Sequence, residues 1–385
     1  MKRTTRSTTR KTKTGIVKNI PSPVRRKKSG DYFFSIIDAI QGNRPSNPIK
    51  NFLELPEVFA VVNLKARAFS NMLLKEVDEK GNDKPTPEGK TIIDLLKNPN
   101  HFQGGKEFLR QTKINREVFG NEFIFKQKPY AMPTTSLFSI PPNLITVEYT
   151  SDKPFFLEAE PSLRYQYQYN RYEKKEIDPS LLIHFSDNRV GIKTVSDKNL
   201  YTGNSPLENL HFICQNLRAA YESRGIILTQ RGANGAWVND SADAVGFVNL
   251  DKKEKEKLEK AFERYGTRIG QRQTIVTNAP VRWVQAGTNN PKNLGLFEET
   301  MECFLRLCDV YGVPKDLFGA AQGATYENQR QAEKGFYIRT IIPEAQEWIE
   351  GIDYDLRGKD RRTKIIADFS HLDIFTSVQQ PLRPA

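Results

Sequence analysis

Near the end of the chain, Asp368, His371 and Asp373 lie close together in "ADFSHLDIF". Carboxylate and imidazole suit a divalent cation, and hence metal-assisted cleavage of a phosphodiester. Read as an extended strand, the segment puts His371 and Asp373 on one face and Asp368 on the other, so a joint site requires a bend. Ordinary surface and turn positions are the plainer reading; a metal-dependent DNA-processing nuclease built on these three is the catalytic rival. His184, in the apolar stretch "SLLIHFS", reads as a hydrogen-bonded structural histidine, and His101 and His211 have no neighbouring acid and nucleophile. Cys214, Cys303 and Cys308 lack metal-ligand spacing and follow no secretory signal, so they read as small buried hydrophobes in a reducing cytosol. The glycines of "GANGAW" and "GAAQGAT" have neither the Lys-Ser/Thr of a phosphate loop nor GxGxxG spacing after a strand. No catalytic residue, metal site or cofactor is expected.

The formal charge of +12 suggests nucleic acid until it is located. Residues 1–30 hold 11 Lys and Arg and no acid, which leaves 47 basic against 46 acidic residues in the remainder. So basic and weakly apolar a tail cannot offset its ordering entropy and is expected to be disordered, either touching nucleic acid or simply solvated. It resembles a transit peptide in composition but lacks the apolar helical face. No apolar run approaches the ~18 residues that cross a bilayer, and no membrane partner is expected.

The elements that must position any site follow from periodicity. "DYFFSIIDAIQ" reads as a short helix or adhesive segment, and "PEVFAVVNLKARAFSNML" as a helix with an apolar face of Val58, Val61, Val62, Leu64, Ala68 and Phe69. "LLKEV" predicts a strand, "TIIDLLK" a helix stopped by Asn98-Pro99, and "GKEFLRQTKINREVF" a helix ending near Gly120 and followed by a strand. "SLFSIPPNLITVEY", "RYQYQYNRY" and "SLLIHFS" read as three further strands, which makes residues 31–204 a mixed α+β region. From Ser205 a capping box with Glu208 opens one long helix to Gln230, carrying Leu207, Leu210, Cys214, Leu217 and Tyr221 inward. An insert follows, with strands at "AWVN", "VGFVNL", "TIVTN" and "VRWVQ" around the charged helix "DKKEKEKLEKAFERYG". Trp237 and Trp283 there either fill a small core or anchor a partner. A second strong helix, "LGLFEETMECFLRLCDVYG", carries a stripe of Phe297, Met301, Phe304, Cys308 and Tyr311. A pliable Gly-, Ala- and Gln-rich loop leads to a long helix, Tyr326–Ile352, bent by its internal Pro343. The last segment, "TKIIADFSHLDIFTS", looks strand-like.

The phrases "LLKNPN", "FGNEFIFKQ", "IPPNLITVEY", "IHFS", "TGNSPLENL", "VYGVPKDLFG", "ATYENQ" and "FYIRTIIPEAQEWIE", in that order between Pro56 and Ile352, resemble the portal proteins of tailed bacteriophages. The resemblance implies an α+β portal fold. Its parts are a disordered basic tail (1–30), a mixed α+β wing (31–204), two stem helices (205–230 and 294–312) and an α+β clip between them (231–293). A tunnel loop (313–325), a long kinked wing or crown helix (326–352), and return strands with a C-terminal tail (353–385) complete it. Many relatives continue into a helical crown; here a short or absent one is expected.

By the same resemblance the chain is a structural protein and not an enzyme. It forms a ring, typically of twelve copies, at the capsid vertex of the virion after assembly in the host cytoplasm. Double-stranded DNA passes through the ring, which meets the terminase large subunit, the major capsid or scaffold protein and a head-completion adaptor. The loop residues expected to border DNA are Lys315, Gly319, Gln322, Gly323, Thr325, Tyr326, Asn328, Gln329 and Arg330; Trp237, Lys252, Lys253, Arg282 and Trp283 are expected to dock partners. Besides the nuclease, a monomeric basic-tailed nucleic-acid-binding module is the remaining alternative.

Overall fold

The computed structural model describes residues 47–129, 132–149, 163–168, 170, 173–189, 202–229, 235–239, 242–243, 246–247, 252–263, 281–285, 295–318, 326–358 and 362–376. The chain divides into units Met1–Pro45 and Ser46–Ala385. The first unit, with the basic tail and the "DYFFSIIDAIQ" segment, lies outside the described residues, as do the expected strand "TIVTN" and positions 319–325 of the pliable loop. Among the described residues no helix is long and apolar enough to cross a membrane.

Helix α1 (Pro48–Glu54) is capped by the Asn47 side chain, and α2 (Pro56–Phe69) buries Val58, Val61, Val62, Ala66, Ala68 and Phe69. The chain turns at Ser70 into strand β1 (Leu73–Val77), so α2 stops short of the Leu73 end expected for it. Helix α3 (Pro87–Lys97) starts earlier than "TIIDLLK", because Thr86 accepts the Gly89 amide and Pro87 takes the first helical position. Helix α4 (Gly105–Phe119) ends at Gly120, whose φ of +67° favours glycine. A Cβ at that position would also meet the Asn204 carbonyl at 2.1 Å.

Two three-stranded antiparallel sheets follow. Strand β2 (Asn121–Gln127) lies between β3 (Ser136–Ile140) and β7 (Leu182–Ser186). Strand β5 (Leu163–Gln168) lies between β4 (Ile145–Tyr149) and β6 (Lys174–Ile177). The stretch "SLFSIPPNLITVEY", expected as one strand, therefore supplies one strand to each sheet. Pro141 and Pro142 cannot donate to a ladder, and a 3-10 turn at Pro142–Leu144 separates the halves. Phe123, Val147, Tyr165 and Leu182 form a small core joining the sheets. His184 stacks on Phe123 with ring centroids 4.3 Å apart and bonds Asn121 at 3.2 Å; burial, reinforced by Arg189, lowers its pKa to about 3. It is the structural histidine expected.

The helix expected from Ser205 is two helices, α5 (Pro206–Asn209) and α6 (His211–Thr229). The Ser205 hydroxyl donates to the Val118 carbonyl at 2.5 Å and accepts the Leu207 amide at 3.1 Å, not the Glu208 amide that a capping box requires. Tethered to the end of α4, the first turn closes on itself and the chain restarts at His211. The insert contributes β8 (Gly235–Asn239), the short pair β9 (Ala242–Asp243) and β10 (Gly246–Phe247), α7 (Lys252–Glu263) and β11 (Val281–Gln285), with β8 antiparallel to β11.

Helix α8 (Leu296–Tyr311) packs on α6, but its inward residues are Cys303, Leu307, Cys308 and Tyr311. Phe297 and Met301, expected on that inner stripe, stand 59% and 45% exposed. The run of apolar residues from Phe297 to Tyr311 is wide enough for two faces, and α8 packs on α2 as well as on α6.

The long helix is also composite. Helix α9 (Tyr326–Phe336) passes into a π turn (Tyr337–Ile341) and then α10 (Ile342–Arg357), so Pro343 widens the turn ahead of it where a simple bend was expected. Strand β12 (Lys364–Asp368) then pairs antiparallel with β1, Leu73 opposite Asp368 and Val77 opposite Lys364. The remainder of "TKIIADFSHLDIFTS" is not strand. Asp368 accepts from the Ser370 amide and hydroxyl, which turns the chain into the short α11 (Asp373–Thr376).

Helix α10 is tied into the core by charge as well as apolar contact. Lys65 of α2 lies 2.9 Å from Glu117 and 2.8 Å from Glu344; Lys113 of α4 lies 2.6 Å and 2.7 Å from the same two carboxylates. Burial disfavours the Glu117 carboxylate, yet Lys113 and Lys65 outweigh it and hold its pKa well below the usual range. One turn further on, Trp348 packs edge-on against Phe69 and donates its indole N–H to both oxygens of Glu122 at 3.1 Å. Burial raises the Glu122 pKa to about 7, against the pull of Arg116 and the indole.

Two outcomes are expected. Glu117→Gln leaves two buried lysines sharing one carboxylate and lowers unfolding free energy by about 3–5 kcal/mol in urea titrations, whereas the charge-balanced pair Lys113→Met with Glu117→Leu recovers much of that loss. The folded protein binds the Glu122 proton more tightly than the unfolded chain, so its contribution is full below about pH 4.5 and is lost as pH rises through about 7. Glu122→Gln should therefore gain roughly 2–3 kcal/mol on wild type between pH 5 and pH 8. His184, neutral when folded, slopes the other way in both proteins and cancels in the comparison.

Candidate functional site

The residues expected to act lie at the two ends of the pliable loop and in the insert. At the first end, α8 stops at Gly312, with φ of +64°; the Gly312 and Val313 amides return to the Asp309 and Cys308 carbonyls at 3.2 and 2.9 Å. Val313 is buried, a 3-10 turn spans Lys315–Leu317, and Phe318 meets Phe304 edge-on at 5.0 Å. Lys315 is exposed on that turn. The Thr340 hydroxyl donates to the Gly312 carbonyl at 2.9 Å and so fixes the start of the loop to the π turn. No local signal pointed to this bond: the partners are far apart in sequence.

At the other end, Tyr326 opens α9 at 82% exposed; Asn328 and Gln329 are exposed and Arg330 half-buried. Tyr326, Gln329 and Arg330 line an open cleft of about 830 Å³ with Asp316, Leu317 and Glu333, closed on its far side by Leu372, Asp373, Ile374 and Thr376. Among the described residues three carboxylates and one guanidinium line it, a balance that repels phosphate more than it holds it. Of the expected loop residues the structure brings these three together, with Lys315 on the turn beside Asp316. Gly319, Gln322, Gly323 and Thr325 lie outside the described residues.

The two long helices carry an arm toward the insert. Arg224 of α6 stacks on Tyr221 and Phe297, 4.6 and 5.2 Å from the ring centres, and bonds Thr300 at 2.9 Å. Asn216 bonds Glu299 across the same pair. The base of α6 is tied to α1 and α2 by Arg218 to Glu54 and Asn51 and by the Tyr221 hydroxyl to Glu57 at 2.5 Å. Outside this packing Phe212, Met301 and Val310 remain exposed, and Phe297 is still 59% exposed beside Arg224. In the insert, Trp237 and Trp283 occupy directly opposed positions of β8 and β11, with Arg282 opposite Val238. Arg282, Lys252 and Lys253 are exposed.

The catalytic rival finds no constellation. Asp368 bonds Ser370 and lies 2.6 Å from Lys75; burial opposes its charge, but these partners outweigh it and bring the pKa to about 2. Asp373 lies at the cleft instead. Among the described residues no group of His, Cys, Asp and Glu is placed to hold a metal ion.

No curated protein matches the chain. Among solved structures, a chain from the neck of a native gene transfer agent particle, computed with C12 symmetry, is 20% identical with a TM-score of 0.58, over 88% of this chain and 86% of that one. A chain from the virion of the native gene transfer agent particle is 19% identical with a TM-score of 0.59, over 89% and 90%. An HK97 family phage portal protein from Corynebacterium diphtheriae is 11% identical with a TM-score of 0.55, over 84% and 95%. At such identities the likeness is one of fold. The family model described as phage portal protein matches residues 56–379, from the first turn of α2 past the end of α11, and the chain belongs to that family.

Proposed function

We propose that the chain is the repeating subunit of a ring at a capsid vertex, through which double-stranded DNA is packaged and later released. The family match over residues 56–379 carries this reading. The exposed Phe212, Phe297, Met301 and Val310 support it: having packed on each other, α6 and α8 still present apolar side chains that a neighbouring copy can cover. Twelve copies is the number proposed, in keeping with the C12 neck of the similar particle.

In this reading Lys315 through Arg330 border the channel. Gly319 and Gly323 let the segment move with the duplex, and Gln322, Thr325, Tyr326, Asn328 and Gln329 offer neutral contacts that do not grip phosphate. A densely basic lining would hold DNA; a body near neutrality and a cleft with three carboxylates favour passage. The insert, with Trp237, Lys252, Lys253, Arg282 and Trp283, is the proposed docking surface for the terminase large subunit and then a head-completion adaptor. Capsid or scaffold protein meets the outer α+β region. The role is structural, and the motor supplies the energy.

Negative-stain images of the purified protein should show annular particles with a central hole; a monomer, above all one that cuts DNA with magnesium or manganese, overturns the reading. Met301→Asp should shift the protein from ring to monomer in size-exclusion chromatography with an unchanged melting temperature. Replacing Gly319 and Gly323 by bulky residues should abolish DNA packaging while rings persist; loss of the rings instead returns the loop to a packing role.

A further inference from the structure

The junction between α9 and α10 holds one residue more than an unbroken α-helix would, because a π turn is an α turn with a residue inserted. Its cause is local. Pro343 has no N–H, and in a regular helix its ring presses on the Arg339 carbonyl, a cost that the α register carries and that makes the wide turn the resting one; in the wide turn the Ile342 amide reaches back to Tyr337.

The extra residue changes which side chains face inward. Ile341, Ala345, Trp348, Ile349 and Ile352 are buried at steps of three and four. Carried back at that spacing, the stripe would reach Tyr337 and Ile338. Instead Phe336 is 2% exposed beside Tyr337, while Ile338 stands 50% exposed. The run Phe336-Tyr337-Ile338 thus supplies an apolar pair for either register: Phe336 with Tyr337 when the turn is π, Tyr337 with Ile338 when it is α. Before Phe336 no position of α9 is fully buried; the half-buried ones are Arg330, Ala332 and Gly335, and a one-residue turn puts Gln331, Glu333 and Phe336 in their places.

The two ends of the loop lie on opposite sides of this joint. Gly312 is bonded to Thr340, at the end of the π turn that α10 holds in the core. Tyr326, Gln329 and Arg330 ride on α9. We propose that Tyr337–Ile341 is a two-register joint: its surplus residue can pass out at Tyr326, which turns α9 by about 100° and moves it about 1.5 Å along its axis while Gly312 stays fixed. The side chains that line the cleft are exchanged for their helical neighbours, without unfolding and independently of whether copies form rings.

The test places nitroxide labels on the full chain at two exposed positions, Glu302→Cys in α8 and Glu327→Cys in α9, diluted among unlabelled chains; the native cysteines are buried. Distances are read by double electron–electron resonance. Phe336→Gln, which removes the inward residue of the π register, should move the label distance by up to about 8–9 Å, the chord that a side chain at the rim of a helix spans in such a turn. Ile338→Asn, which removes the alternative, should keep the first distance and erase any second one present in wild type. The joint is supported if Phe336→Gln shifts the distance or Ile338→Asn removes a second wild-type peak. If neither occurs, including the case where Phe336→Gln unfolds and wild type shows one peak unchanged by Ile338→Asn, the register is fixed and the proposal fails.

Discussion

Lys65, Lys113, Glu117 and Glu344 come from three helices that are remote in sequence; Lys113 and Glu117 pair within α4, but Lys65 and Glu344 find their partners only when the helices are docked. Pairs of this kind add little net stability over an apolar core, but removing one partner strands the others in a medium that cannot solvate them. The lattice therefore acts as a condition on assembly: α10 is either seated against α2 and α4 or carries a heavy penalty. Its seat holds Thr340, and Thr340 holds Gly312. The position of the first loop end follows from four side chains.

Much of the fold was legible because local rules settle it. Pro56 and Pro206 mark helix starts, Gly120 and Gly312 mark helix ends, and the three-and-four spacing of α2 names most of its buried residues. What escaped were effects that need a second element. The Ser205 hydroxyl is diverted by the Val118 carbonyl, and the inner face of α8 is set by packing on α6 and α2, which buries its two cysteines and leaves Phe297 and Met301 exposed. The split of "SLFSIPPNLITVEY" was written in its two prolines; the pairing of each half with a different sheet was not.

The candidate site divides in the same way. That a pliable segment lies between two helices could be read directly, and so could the polar start of the second helix. The bond from Thr340 to Gly312, the cleft closed by α11 and the sandwich of Arg224 between Tyr221 and Phe297 depend on chain returns that no window of sequence contains. Asp368, His371 and Asp373 show how little proximity along the chain decides: the turn at Ser370 gives Asp368 and Asp373 separate duties.

Helix α10 also lies along the outer margin of β12. Gln346 exchanges two hydrogen bonds with the Ala367 backbone, at 2.7 and 3.3 Å, and Asp353, two turns later, accepts the Ile365 amide at 3.2 Å. A helix thus answers the peptide groups that another strand would otherwise seek, and the two-stranded ribbon cannot grow on that side. Many copies of such a chain can crowd at one vertex without recruiting one another into a fibre through that side of β12.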